Sequence, residues 1–201
     1  MTRDSKALAI VTNYGVEQDE LLVPLRHLRD DGVQVDIAAV EAEDIRTLVG
    51  DEDPGETVRP THTLGEVDAA DYDLLLIPGG TINADTLRLQ EEAVGLVRAF
   101  SATGRPIAAI CHGPWLLAEA GVADGKRLTS YPSLRTDLTN AGAQWKDEPL
   151  VEDDTGGWHL ITSRNPGDLG PFTRGIDAAL RSAPSGPGRP GPRQEPGPGR
   201  H

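Results

Sequence analysis

The stretch RPIAAICHGPWLLAEAG, Arg105 to Gly121, decides how this chain folds. Ile107 to Ile110 is a short apolar run bounded by Gly104 and Pro106, the pattern of a strand buried on both faces. Pro114 suits the first turn of a helix and Gly121 its end. Cys111, the only cysteine, therefore falls where a central strand turns sharply into a helix. Unpaired N–H groups at a helix start carry partial positive charge, which predicts a thiol that ionises readily. The turn also lifts the side chain above the sheet and leaves N–H donors beside it, able to hold an oxyanion. His112, next in sequence, is a candidate base. On this stretch alone a second reading stands beside the reactive one: a lone cysteine is also a small apolar core residue.

Working outward, Ala7 to Thr12 reads as a first buried strand, followed by a turn at Asn13, Tyr14 and Gly15. Glu17 to Arg29 has helical spacing, with Leu21, Leu25 and Leu28 on one side and a kink expected at Pro24. Val33 to Val40 is a second strand, which makes a βαβ opening and predicts parallel pairing. Glu41 to Glu56 is polar and acidic and reads as a surface insertion; Val58 to Leu64 reads as a short edge strand. Asp73 to Ile77 is a third buried strand ending in Pro78, Gly79 and Gly80. Paired glycines at a strand's carboxyl end let backbone approach a ligand closely.

Thr81 to Asp85 is expected as a loop and Leu87 to Ser101 as a helix leading into the Cys111 strand. Beyond Gly121, Arg127 to Tyr131 is extended and Ser133 to Asn140 a short helix. Gln144 to Val151 and Trp158 to Ser163 read as two strands joined by an acidic turn, and Pro166 to Arg181 as the last helix. Strands alternating with helices predict a flavodoxin-like α/β domain, doubly wound, with a mostly parallel sheet. The domain is expected over 1–183. From Pro184 to His201 the chain is Pro, Gly and Arg with almost no apolar residues, a composition that predicts a disordered tail.

The 201 residues suffice for one domain with a substantial core. One cysteine allows no internal disulfide, which fits a reducing compartment, and the N-terminus lacks a secretion pattern, so a cytoplasmic location is expected. The formal charge is −13, and the tail carries Arg189, Arg193 and Arg200 against Glu195, so the acidity belongs to the rest of the chain. An acidic body argues against nucleic acid and anionic membrane as partners. Scarce aromatics disfavour base stacking. The five histidines show no metal-ligand spacing, and no metal or other cofactor is expected.

In a doubly wound sheet the loops after the strands gather over the carboxyl edge. Here they carry Glu17, the Gly79–Gly80 pair, and Cys111 with His112. A carboxyl, backbone donors and a thiol together suit acyl or carbonyl chemistry. The text AICHGPWLLAEAGVADGKRLTSYPSLRTDLTNAGAQWKDE, with SRNPGDL after it and EQDELLVP and the PGG strand before it, resembles the PfpI-type intracellular cysteine peptidase and deglycase family. That family lies within the ThiJ/PfpI superfamily of the glutamine amidotransferase-like fold. The likeness runs from about Ala7 to about Leu180.

The resemblance implies a role for each matching residue. Cys111 corresponds to the nucleophile on its elbow and His112 to the imidazole beside it. Glu17 matches the carboxyl that hydrogen-bonds the sulfur, whereas Glu20, one turn on, reads as a surface or interface charge. Gly80 and the His112 N–H fall where an oxyanion hole is expected, beside Gly79, and Tyr131 matches a pocket tyrosine. In oligomeric peptidase members a Glu of a neighbouring subunit orients the histidine; Asp85 is the nearest match, displaced by one inserted residue. A Glu17 carboxyl beside a thiolate is expected to stay protonated and to donate to the sulfur.

The resemblance further implies a homo-oligomer, dimer or hexamer, and partners among small carbonyl compounds, glycated proteins or peptides. The leading expectation is cytosolic stress protection by hydrolysis or hydration of reactive-carbonyl adducts, or peptide hydrolysis, through Cys111. The alternative is a non-enzymatic redox sensor using the same cysteine. A glutamine amidotransferase is disfavoured, because His159 and Glu152 lack the spacing of that family's His–Glu pair.

Overall fold

In the computed structural model, which describes residues 5–182, the apolar runs become the centre of a seven-stranded sheet. Strand β1 (Lys6–Ile10) pairs in parallel with β3 (Gln34–Ala39) on one side and β7 (Leu74–Ile77) on the other. Next come β8 (Ile107–Ile110) and β12 (Leu160–Ser163), also parallel. The order β3-β1-β7-β8-β12 is the doubly wound 2-1-3-4-5 arrangement. The two-residue β6 (His62–Thr63) closes one edge, and β11 (Val151–Asp153), antiparallel to β12, closes the other.

Successive strand side chains face opposite sides of a sheet, so a continuous apolar run fills two cores at once. Leu8, Ile10, Leu75, Ile77, Ile107 and Ala109 enter one core. Ala7, Ala9, Leu74, Leu76, Ala108 and Ile110 enter the other. Helix α1 (Gln18–Asp30) covers the second core with Leu21, Leu25 and Leu28, beside α6 (Leu169–Ser182) with Phe172 and Ile176. His27 Nε2 and Asp177 Oδ1, 2.8 Å apart, tie these two helices together. The first core is covered by α3 (Glu91–Thr103), α4 (Trp115–Glu119) and α5 (Arg135–Asn140), through Val97, Phe100, Leu116, Leu117 and Leu138. Each fully buried Leu or Phe stabilises the fold by roughly 2 kcal/mol, so both faces contribute substantially.

Four expectations change. Tyr14–Glu17 is not a turn into a helix but a strand, β2. The acidic stretch expected as a surface insertion forms a hairpin, β4 (Ile45–Val49) and β5 (Asp53–Val58), whose β4 pairs in parallel with β2. Its strand signal, Ile45, Thr47 and Leu48 buried on alternate and adjacent positions, is diluted by Glu and Asp on either side. The expected loop at Thr81 is helix α2 (Thr81–Leu87), entered from Gly80. Trp145 and Val151, expected in one strand, lie in separate sheets: β10 (Gln144–Trp145) pairs with β9 (Arg127–Leu128), while β11 joins the main sheet. Helix α1 runs through Pro24 as one element. The tail expected to be disordered, 184–201, lies outside the described residues. No helix among the described residues is long and apolar enough to cross a membrane.

Candidate active site

Cys111 extends the β8–β12 ladder by one bond, its N–H donating to Ser163 O at 3.0 Å, and then leaves the strand with φ of +62°. A non-glycine residue in this left-handed region is strained by roughly 1–2 kcal/mol. Among the described residues only one other non-glycine residue has positive φ, Asp51 at +60°. The turn sets Cys111, a residue only 5% exposed, against Gly79 and Gly80, and the Gly80 N–H donates to its sulfur.

The carboxyl that meets this sulfur belongs to Glu20, not to Glu17. Glu20 is wholly buried; its Oε2 accepts from Gly79 N–H at 2.8 Å. A Cβ at Gly79 would stand 2.5 Å from that oxygen and 2.7 Å from Cys111 Cβ, so a glycine is required there. Glu17 precedes the first helical residue, and its side chain turns the other way. Its carboxylate accepts from Gly50 N–H and Asp51 N–H, each at 3.1 Å, and so clamps the tip of the β4–β5 hairpin. Glu17 ends β2 with extended backbone while Glu20 lies in the first turn of α1, so the change from strand to helix between them sends the two carboxyls to different neighbours. Glu20 shares a helix face with Pro24 and Leu28, and a carboxyl placed on that apolar face was the available sequence signal for it.

Burial pushes the Glu20 carboxyl up to about 8. Burial, then the charge of Glu20, push the Cys111 thiol up as well, while backbone N–H donors of Gly80 and His112 pull it back. Desolvation thus works against the ready ionisation expected of a thiol at a helix start, and α4 is only five residues long. Glu20 and Cys111 titrate as a pair, and at neutral pH the carboxyl keeps its proton. Glu20 Oε1 is buried without a hydrogen-bonding nitrogen or oxygen around it, a setting that favours the neutral acid. A neutral Glu20 removes the like charge that otherwise suppresses a thiolate.

His112 Nδ1 lies 3.2 Å from Cys111 Sγ. Its ring stacks on Tyr131, with centroids 4.8 Å apart, and meets Trp115 edge-on at 5.7 Å. Burial lowers the pKa of the imidazole, and the negative charge of Asp51 opposes that shift. On its far side, Nε2 lies 3.3 Å from Thr81 Oγ1 and 3.4 Å from Ser133 Oγ. Tyr131 N–H donates to Cys111 O at 2.8 Å, which holds the aromatic wall against the turn. Asn83, fully buried, accepts from Thr12 N–H at 2.8 Å and donates to Gly79 O at 2.9 Å, joining the ends of β1 and β7.

The structure thus brings together Cys111, His112, Gly79, Gly80 and Tyr131 from the residues read in the sequence. It adds Glu20, Thr81, Ser133 and Asp51, which sequence reasoning left out of the site. Asp85 lies exposed on α2, apart from His112 and its hydrogen-bonding partners. Among the described residues, one set of side chains is close enough to share a metal ion: His27, Asp31 and Asp177. It sits between α1 and α6, on the later turns of α1, away from the Glu20 end of that helix.

Comparison with known proteins agrees with this fold. The DJ-1/PfpI family model matches residues 5–178. A deglycase of Thermococcus kodakarensis is 37% identical over 172 residues, covering 86% of this chain and 98% of the relative. General stress protein 18 of Bacillus subtilis is 36% identical over 169 residues, covering 84% and 94%. Among solved structures, Drosophila melanogaster DJ-1beta superposes with a TM-score of 0.78 at 32% identity, over 89% of this chain and 91% of that one. The flavodoxin-like sheet, the match along nearly the whole domain and these relatives lead to one conclusion: the chain belongs to the DJ-1/PfpI family.

Proposed function

We propose that this protein is a cysteine-dependent hydrolase of reactive-carbonyl adducts, protecting the cell against carbonyl stress. The observation that carries the reading is the surrounding of one sulfur atom. Cys111 Sγ meets a protonated carboxyl (Glu20), two backbone N–H donors (Gly80 and His112) and an imidazole nitrogen at 3.2 Å. The deglycase name of the Thermococcus relative and the stress-protein name of the Bacillus relative point the same way.

A dicarbonyl such as methylglyoxal, free or released from an adduct, sets out the chemistry. As the sulfur adds to the aldehyde carbon, a C–S bond forms and the thiol proton passes to His112 Nδ1. The carbonyl electron pair moves to oxygen, which takes that proton back, giving a hemithioacetal. Nδ1 then removes the proton on the same carbon to give an enediolate; the hydroxyl proton of that carbon passes to the neighbouring oxygen, and the proton held by Nδ1 returns to the neighbouring carbon, which yields the lactoyl thioester. Water adds to the thioester, the C–S bond breaks, lactate leaves, and sulfur recovers its proton. Glu20 stays neutral throughout and donates to the sulfur while it is negative. With a peptide carbonyl the same attack gives an acyl-enzyme directly. His112 and Tyr131 form the wall against which a small carbonyl compound would lie.

The test is loss of methylglyoxal and recovery of glycated protein, measured for wild type and variants. Cys111→Ser should abolish both. Glu20→Gln should slow turnover by about 10²-fold, and Glu17→Gln far less, because Glu17 holds the hairpin rather than the sulfur. Equal rates for wild type and Cys111→Ser would remove the enzymatic reading.

A second reading is favoured by the same donors. Gly80 N–H, His112 N–H and the Glu20 carboxyl suit the oxygens of a sulfinate as well as a thiolate. Peroxide-dependent oxidation of Cys111 seen by mass spectrometry, with no turnover of any carbonyl substrate, would make the protein a redox sensor.

A further inference from the structure

The stretch 41–56 has no part in the chemistry above, yet it ends over the site. Glu17 accepts the N–H groups of Gly50 and Asp51, and these two bonds hold the hairpin tip where Asp51 adopts its φ of +60°. Asp51 is then turned toward α2. Its Oδ1 accepts from Thr81 N–H at 2.9 Å, and its Oδ2 accepts from the Thr81 hydroxyl at 2.8 Å. With its proton committed to Asp51, Thr81 Oγ1 faces His112 Nε2, 3.3 Å away, as an acceptor. The hydrogen bonds therefore run Asp51, Thr81, His112, Cys111, all within one chain.

We propose that Asp51 is a positioning residue for His112, acting through the Thr81 hydroxyl and supplied by the β4–β5 hairpin of the same chain. It fixes the imidazole with its proton on Nε2, so that Nδ1 is the nitrogen facing sulfur. It also supports the positive charge that appears on the ring when Nδ1 takes the thiol proton. The two strained non-glycine residues, Asp51 and Cys111, stand at the two ends of this chain of contacts. The resemblance gave Asp85 of a neighbouring subunit as the nearest match for a group that orients the histidine; Asp51 offers a carboxylate for that role in cis. Ser133 Oγ, 3.4 Å from Nε2, is a second acceptor and moderates the effect. The proposal rests on the cysteine–histidine reading of the site, but not on the identity of the substrate.

Two variants separate positioning from simple capping of α2. Thr81→Val keeps the backbone N–H that Asp51 caps and deletes only the hydroxyl. Asp51→Asn removes the charge. The readouts, taken on the full chain, are the ¹⁵N shifts of the His112 ring, identified by their loss in His112→Gln, and the alkylation rate of Cys111 by iodoacetamide at pH 7. Wild type should show Nε2–H alone. Both variants should show a mixture of tautomers. Losing a triad carboxylate in direct contact costs on the order of 10⁴ in rate; through a hydroxyl, with Ser133 in reserve, alkylation should slow about 10-fold. Thr81→Ser should recover most of that loss. Unchanged ring shifts and alkylation in either Thr81→Val or Asp51→Asn would overturn the assignment. If both variants respond but wild type turns over no carbonyl adduct, the relay stands and the enzymatic reading falls.

Discussion

At the scale of single residues, Glu20 shows how burial sets both chemistry and cost. The unfolded chain releases this proton near the ordinary 4.5, the folded chain near 8. Between those values the unfolded state binds fewer protons, so stability falls as pH rises, and the loss is complete above about 8. Glu20→Gln removes this slope. It should stabilise the protein at pH 7.5 by a few kcal/mol at most, roughly 1.4 kcal/mol per pH unit of the window removed, and leave stability at pH 4 nearly unchanged. Urea unfolding at the two pH values measures the difference; an equal effect at both would show that Glu20 is not held neutral. The same variant should be a poorer catalyst, a trade of activity for stability expected at a functional site. The place of Cys111 at the turn from β8 into α4 was legible in the sequence, because a strand, a turn and a helix in succession are local signals. Its carboxyl partner was not, because the choice between Glu17 and Glu20 turns on where β2 ends and α1 begins, and β2 itself read as a turn.

At the scale of elements, the site is a meeting of strand ends held by few bonds. Asn83 on α2 connects the end of β1 at Thr12 with the glycine pair after β7. Asn83→Ala would leave the Thr12 N–H and the Gly79 C=O buried without this partner. Each such orphan costs about 1–3 kcal/mol, so unfolding in urea should show a loss of about 2–4 kcal/mol. Activity should fall as well, since Gly79 carries the N–H that holds Glu20. A loss of stability with turnover untouched would mean that the glycine pair keeps its place without Asn83. Helices α1, α3 and α6 and the parallel strands β1, β3, β7, β8 and β12 followed from apolar spacing. The hairpin of β4 and β5 did not, because β4 takes its outer partner from β2, a segment that itself read as a turn.

At the scale of the whole molecule, the acidic, doubly wound domain leaves two large apolar side chains exposed on and just after α2. Ile82 is 43% exposed on α2 and Leu89, just beyond its end, 73%. Asp85 lies one turn from Ile82 on the same helix. If the expected homo-oligomer forms through this surface, Ile82→Glu with Leu89→Glu should convert it to monomers in sedimentation velocity, while the ring shifts of His112 stay as in wild type. A wild-type protein already monomeric at micromolar concentration would sink the oligomer.

The sequence by itself determined the layered α/β fold, the strand order's parallel character and the place of Cys111, His112, Gly79 and Gly80 at the sheet's carboxyl edge. Those depend on apolar periodicity and on turn residues, which act over a few positions. Only the tertiary structure decided that Glu20 faces the sulfur, that Glu17 grips a hairpin, and that Asp51 reaches His112 through Thr81. These pairings join residues thirty to ninety positions apart, and what fixes them is the direction in which each packed element presents its side chains.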